Sequence, residues 1–275
     1  MRLIKCPECD ASVSIKAKGC PHCGAPLVVP PVALESLDTL IMVPGHAIYV
    51  GTDPTHSRSI AHWRGIFPGY QDNDEAELYW DHIRTGVLVG ARRREKGGVK
   101  ELTSLLVFSG GETRPKAGPY AEAQSYWFLA YQNNWFGYPE IESVATTEEF
   151  ARDSFENLLF SIHRFHQLVH SLPRFVIVCG FSFKARRYQF HWETISGNPA
   201  DPRIKLEGLK SEFYYIGVND PPAYLLKGPG GSEEGEAETY KLFQDDPLAE
   251  RSPLVDKERE RDRFLRHHPY PVPRT

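Results

Sequence analysis

The chain of 275 residues has only two methionines and no apolar run near the ~20 residues that a membrane helix needs. It has no strong charge bias either. Thirty-two Lys and Arg face 36 Asp and Glu, a formal net charge of −4, so whole-molecule electrostatic binding of nucleic acid is not expected. The glycine-rich dinucleotide fingerprint is missing after the first apolar run. GVLVGARR falls in a helical stretch, which argues against a nicotinamide enzyme. Ser109 and Ser182 each follow an apolar run, but no base is legible beside either and no Ser-His-Asp order can be read. The opening MRLIKCPECD lacks the apolar stretch of a signal peptide, and a cytoplasmic protein is expected, without a membrane partner.

Cysteine is scarce but concentrated: four of five fall within the first 23 residues. Cys6-Pro-Glu-Cys9 and Cys20-Pro-His-Cys23 are two Cys-x-x-Cys units with ten residues between them. Two such turns supply four thiolates, the ligand set of a tetrahedral structural zinc. A disulfide pair or a redox motif is the alternative; the duplication and the absence of a secreted context favour zinc. Residues 1–27 are therefore expected to form a small zinc ribbon folded by its metal. Its role by default is structural or protein-docking.

Residues 28–37 read as a proline-rich linker. Beyond it, short apolar runs end abruptly in glycine, proline or asparagine: 40–43, 105–108, 175–179 and 213–218. Runs of this kind are expected of strands buried on both faces. Segments 74–94, 121–131 and 150–170 carry apolar residues at helical spacing. Thr146 and Glu149 read as a capping box at the start of the third. Strands alternating with helices predict an α/β fold with a mostly parallel sheet over residues 38–226. Cys179, within a central strand, is expected to be an inert core thiol. Residues 227–275 turn acidic, then highly charged, and read as a partly disordered tail with a short helix at 255–266. The basic stretch Arg92, Arg93, Arg94 reads as a solvated helix end rather than a nucleic-acid contact.

In an open parallel sheet, ligands bind beyond the carboxyl ends of the strands. The residues that follow the predicted strands are Gly45 and His46; Ser109, Gly110, Gly111 and Arg114; Glu148 and Asp153 ahead of the long helix; and Lys184 and Arg187. Gly110 and Gly111 can turn the backbone sharply and offer amide groups to an anion. Arg114, Lys184 and Arg187 add positive charge. His46 is a candidate acid/base, and Glu148 or Asp153 a candidate general base. A plain strand-to-loop turn is the bland alternative for the two glycines. Glu149, Asp153 and Glu156 share a helical face that on periodicity alone reads as solvated. His163, His166 and His170 on the same predicted helix read as boundary residues rather than metal ligands.

These pieces, in this order, resemble the YdcF-like family (SanA/ElyC-type), over roughly residues 38–195. The marks are VPGHA, the FSGGETR turn, Glu122-Ala123, the helix start EEFARDSFEN and a strand followed by FKARR. Glu148, Ser154, Glu156, Asn157, Phe183 and Arg187 match the family pattern. Ala151 and Asp153 replace Ser and Asn, and Lys184 replaces His. The variant looks closer to the family's eukaryotic-type branch. The resemblance implies a Rossmann-like three-layer sandwich and a ligand site that includes Gly45, Glu122, Ser154 and Asn157. It also implies S-adenosylmethionine as a ligand, whereas a phosphate-bearing metabolite is what the strand-end glycines and cations suggest. The Lys184 departure argues against any mechanism that needs a proton shuttle there, and implies a fixed charge or an anion clamp instead. Two functions are compatible with this reading: an enzyme or binder for a small anionic or nucleotide-like molecule, and a non-catalytic metabolite sensor whose zinc ribbon or tail docks a protein partner.

Overall fold

The computed structural model describes residues 3–6, 8–14, 17, 19–24, 32–66, 73–96, 99–227 and 230–273. The chain divides into two compact units, Met1–Ala33 and Leu34–Thr275. In the first, strands β1 (Leu3–Lys5) and β2 (Ser12–Ser14) pair antiparallel. Cys6 and Cys20 are buried against Val13, with Ala11 beside them. Each Cys-x-x-Cys turn is closed by an amide reaching back four residues, Asp10 to the Cys6 carbonyl and Gly24 to that of Cys20, both at 2.9 Å.

The second unit is α/β. In chain order it contains β3 (Thr39–Pro44), the short pair β4 (Ile48–Tyr49) and β5 (Trp63–Arg64), α1 (Asn73–Gly90), and the hairpin β6 (Arg93–Lys96) and β7 (Val99–Leu102). There follow β8 (Ser104–Ser109), α2 (Glu122–Gln132), β9 (Ala145–Glu148), α3 (Ser154–Val169), β10 (Phe175–Phe181), α4 (Ala185–Gly197) and β11 (Glu212–Asn219). The chain ends with α5 (Ala223–Leu226), α6 (Ser232–Asp245) and α7 (Leu254–Arg261). Five strands form one sheet in the order β11-β10-β3-β8-β9, and every pairing is parallel.

β3 and β8 are buried along their whole length because helices cover both faces. The chain moves from β3 outward through α1 and α2 to β9, then returns through α3 to β10 on the other side of β3. With right-handed crossovers this puts α1 and α2 on one face, α3 and α4 on the other. The spatial order is that of a Rossmann-like sheet, and its reversal point lies between β3 and β10. Cys179 lies in β10, fully buried, its thiol pushed up to about 12 by burial. Among the described residues no helix is long and apolar enough to cross a membrane.

Four expectations need correction. Residues 145–148 form an edge strand on β8, so Thr146 and Glu149 cap no helix. The pairing is made by backbone, which needs no apolar side chain. α3 starts later, at an N-cap supplied by Asp153, whose carboxylate accepts from the Glu156 amide at 2.9 Å. Of the expected linker, residues 28–31 lie outside the described residues, and Leu34–Ser36 form one short 3-10 turn. Arg93 and Arg94 open the β6–β7 hairpin instead of ending a helix. The segment expected to be a partly disordered tail with one short helix carries α6 as well as that helix, α7, and buries Phe243, Leu254, Val255, Tyr270 and Val272. These few apolar residues, spread through a charged stretch, supply its anchoring area.

Candidate functional site

At the reversal point the C-terminal ends of β3, β8 and β10 and the N-terminus of α3 surround a cavity of about 110 Å³, room for several waters or a small polyatomic anion. Its lining includes Gly45 and His46 from β3, Arg114 and Glu122 after β8, Asp153, Ser154 and Asn157 at α3, and Lys184 and Arg187 after β10. The tertiary fold thus brings together most of the residues proposed from sequence. Six lining side chains are cationic (Arg114, Arg152, Lys184, Arg187, Lys257, Arg261) and three are carboxylates (Glu122, Asp153, Glu258).

Across the reversal point the Lys184 amine lies 3.4 Å from Nδ1 of His46. His46 is 6% exposed, and its Nε2 has no partner among the described residues. Burial, then the neighbouring charge of Lys184, holds the imidazole neutral well below its ordinary range. Burial also pulls Lys184 down to about 7, with Arg187 and Arg114 adding like-charge repulsion. Arg187 pairs with Glu236 at 2.8 Å, while its buried Nε has no hydrogen-bond partner among the described residues. Arg114 is held by Glu122 at 3.1 Å and by the His46 carbonyl at 2.5 Å, so much of its fork braces the loop after β3. Asp153 uses one oxygen as the α3 cap; the other is buried, with no hydrogen-bond partner among the described residues. The Ser154 hydroxyl meets Nε2 of the buried His191 at 2.8 Å.

The two glycines answer differently from expectation. The Gly110 amide donates to the Glu148 carbonyl at 2.9 Å, and that of Gly111 to the Ala151 carbonyl at 2.8 Å. Neither is offered to an anion. Gly110 is needed because its φ is +147° and a Cβ there would lie 2.6 Å from the Glu122 carboxylate. Gly45 packs on the same Glu122, which a Cβ would meet at 2.4 Å. Gly45 and Gly110 let the loops after β3 and β8 close on one carboxylate.

Ser109 and Glu148 also stand behind the cavity rather than in it. The fully buried Ser109 hydroxyl lies 2.8 Å from both Glu148 Oε2 and Asn157 Oδ1. Glu148 accepts from the Phe150 amide at 2.7 Å and from the Tyr270 hydroxyl at 3.3 Å. Burial raises its carboxyl to about 7, against the lowering effect of those hydrogen bonds. Glu148 therefore braces the 148–151 turn from outside the cavity lining.

Sequence reasoning missed the wall supplied by the C-terminal helices: Thr239, Phe243, Leu254, Lys257, Glu258 and Arg261. Arg152, which lines the cavity too, is held by Glu156 and by Glu258 at 3.1 Å. Phe243 and Leu254 stand out in an otherwise polar stretch, and that was the available signal. In the N-terminal unit, the Cys6–Cys23 and Cys9–Cys20 sulfurs are each 3.6 Å apart, and all four lie within 4.8 Å of one another. Those distances exclude a disulfide at about 2.05 Å. They match the roughly 3.8 Å edge of a sulfur tetrahedron around zinc with ~2.3 Å bonds.

No known family profile matches the chain. It is similar to the uncharacterized protein YOR238W of Saccharomyces cerevisiae, 25% identical over 278 aligned residues that cover 84% of this chain and 86% of the yeast protein. No solved structure matches it.

Proposed function

We propose that the protein binds a small phosphate-bearing or nucleotide-like anion in the reversal-point cavity of a YdcF-like domain, and that Cys6, Cys9, Cys20 and Cys23 hold one structural zinc. The observation that supports the first reading is charge: six cationic side chains and three carboxylates line one small cavity, with Glu236 and Glu156 pairing Arg187 and Arg152 beside it, and buried atoms of Arg187 and His46 have no hydrogen-bond partner among the described residues. Desolvated cations gain more from an anion than solvated ones, because the effective dielectric is lower. Between the two expected ligand types, this favours phosphate. S-adenosylmethionine carries a sulfonium and an ammonium against one carboxylate, and the excess positive charge of the lining opposes it.

The test uses calorimetry on the full chain with inorganic phosphate and with ADP. Removing Arg187 alone would strand the Glu236 carboxylate, which is buried beside it. The variant is therefore the pair Arg187→Gln and Glu236→Gln, with folding checked by its melting midpoint. Loss of one charged contact from a desolvated anion site is expected to weaken binding by on the order of 10–100-fold. Wild-type affinity in the folded double variant, or no anion binding by the wild type at millimolar concentration, would refute the reading.

A further inference from the structure

α2 is apolar on both of its sides. Ala123, Tyr126, Leu129 and Ala130 go into the core, while Trp127, Phe128 and Tyr131 lie on the outer side. Phe128 and Tyr131 are 42% and 50% exposed, and Tyr120, just ahead of the helix, is 57% exposed. A surface helix ordinarily turns a polar face outward, so an apolar outer face marks a place where something else docks. The outer rings are set against one another. Trp127 stacks on Tyr131 with centroids 5.5 Å apart, and Trp135 meets Trp127 edge to face, also at 5.5 Å.

Beside this face runs β9, the edge strand of the sheet. The Glu148 carbonyl accepts from the Gly110 amide, so it is turned towards β8. Backbone groups alternate in direction along a strand, and the N–H and C=O of Ala145 and Thr147 therefore point the other way, out of the sheet edge. Among the described residues no hydrogen bond from another segment reaches them. β9 carries no lysine, proline or bulge, the devices that commonly blunt such an edge. Ala145, Thr146 and Thr147 of β9, the outer side of α2 and residues 49–52 enclose a groove of about 670 Å³. None of the described residues that line it is charged. The Glu149 carboxylate, which accepts from Gln124 and Thr147 beside the groove, is paired with Arg266 at 3.8 Å.

We propose that the groove between β9 and α2 takes an extended, uncharged stretch of a partner protein as a sixth strand of the sheet. The backbone edge selects a peptide over a small apolar molecule. Ala145 and Thr147 each offer one donor and one acceptor two residues apart, the spacing at which an adjoining strand offers its own. The edge is four residues long, about 13 Å at strand rise. Side chains of the added strand would alternate. Those on the α2 side meet Trp127, Phe128 and Tyr120 and are apolar, because a charge buried against an uncharged lining would find no partner. Main-chain hydrogen bonds supply the affinity, and the aromatic wall supplies the selectivity. The groove shares no lining residue with the reversal-point cavity, so the anion-binding reading and this one stand or fall separately.

The experiment selects random heptapeptides displayed on phage against the full-length protein. Enriched sequences are then synthesised with blocked ends and titrated by calorimetry. They are expected to lack charge and to carry apolar residues at alternate positions. Methylating the backbone nitrogens that face β9 should weaken binding on the order of tenfold, the equivalent of one or two hydrogen bonds. Two protein variants read the two walls. Thr147→Pro removes an outward N–H at a position where an edge strand tolerates proline, and Phe128→Ser removes part of the aromatic wall. Each should weaken binding on the order of tenfold while the melting midpoint of the chain holds. Should Thr147→Pro unfold the chain, the methylated peptides report the same backbone contact. Failure to enrich any peptide overturns the proposal, as do peptides that bind both folded variants as tightly as the wild type. Sensitivity to Phe128→Ser without sensitivity to backbone methylation overturns strand addition. A wild-type dimer in sedimentation that Phe128→Ser dissolves would assign the groove to a second copy of the chain and overturn the partner peptide.

Discussion

In the N-terminal unit four thiols come within 4.8 Å of one another from two tetrapeptides ten residues apart. In the cavity, His46 and Lys184 meet across 138 residues of chain. The first arrangement needs only two local turns. The second needs five strands in the right order, two loops cut to size by glycine, and a wall of C-terminal helices. A local cluster can be recognised by spacing, because the turn geometry is the same wherever it occurs. A cluster assembled by topology is a property of the sheet, and its members look ordinary one at a time.

The comparison breaks most visibly at the cysteines. Cys20→Ser is expected to take zinc from one per chain to almost none and to unfold residues 3–24, since zinc contributes on the order of 10 kcal/mol to folding such units. Metal analysis of the purified protein checks this, and a variant that keeps one zinc per chain would refute it. Next in size is Phe243→Ala. Phe243 is 1% exposed and packs edge to face on His191 at 4.4 Å. Its truncation should cost about 3–5 kcal/mol in urea unfolding of the α/β unit. A cost near zero would show that the C-terminal helices are not part of the cavity unit.

A third effect is a matter of pH. The Glu148 carboxyl is raised from 4.5 to about 7 in the fold, so the folded chain binds the proton more tightly than the unfolded one. The stability from this group is complete below about pH 4.5 and is lost as pH rises through 7, a difference of roughly 3 kcal/mol. Glu148→Gln keeps the shape and removes the titration. Its unfolding free energy should vary less across that window than the wild type's. Parallel curves would mean that Glu148 is ionised in the fold throughout. The smallest effect belongs to the α3 cap. Asp153→Ala removes the hydrogen bond to the Glu156 amide and should cost about 1 kcal/mol, typical of an N-cap. A much larger loss would point to an additional structural role for its second oxygen.

Much of the fold could be read from the residues. Leu40–Val43, Leu105–Phe108 and Phe175–Cys179 announce buried strands by being apolar on both faces. β9 gave no such sign, because Ala145-Thr146-Thr147-Glu148 at the sheet edge is held by backbone pairing to β8. The gathering of Gly45, His46, Arg114, Asp153, Ser154, Lys184 and Arg187 followed from the rule for strand ends. Their individual roles did not. Whether an amide is free or engaged depends on which carbonyl another segment brings to it, as the Ala151 carbonyl is brought to Gly111.

By itself, then, the sequence determined the cysteine spacing, the strand-and-helix alternation and the presence of polar residues at strand ends, because each depends on neighbours along the chain. Only the tertiary structure decided that Gly110 and Gly111 serve packing against Glu122 and the 149–151 turn, that Glu148 is buried behind the cavity, that α6 and α7 close its side, and that Lys184 loses its water beside His46. Those outcomes depend on distances between segments far apart in the chain, and burial among them is what sets the charge of an amine or a carboxyl.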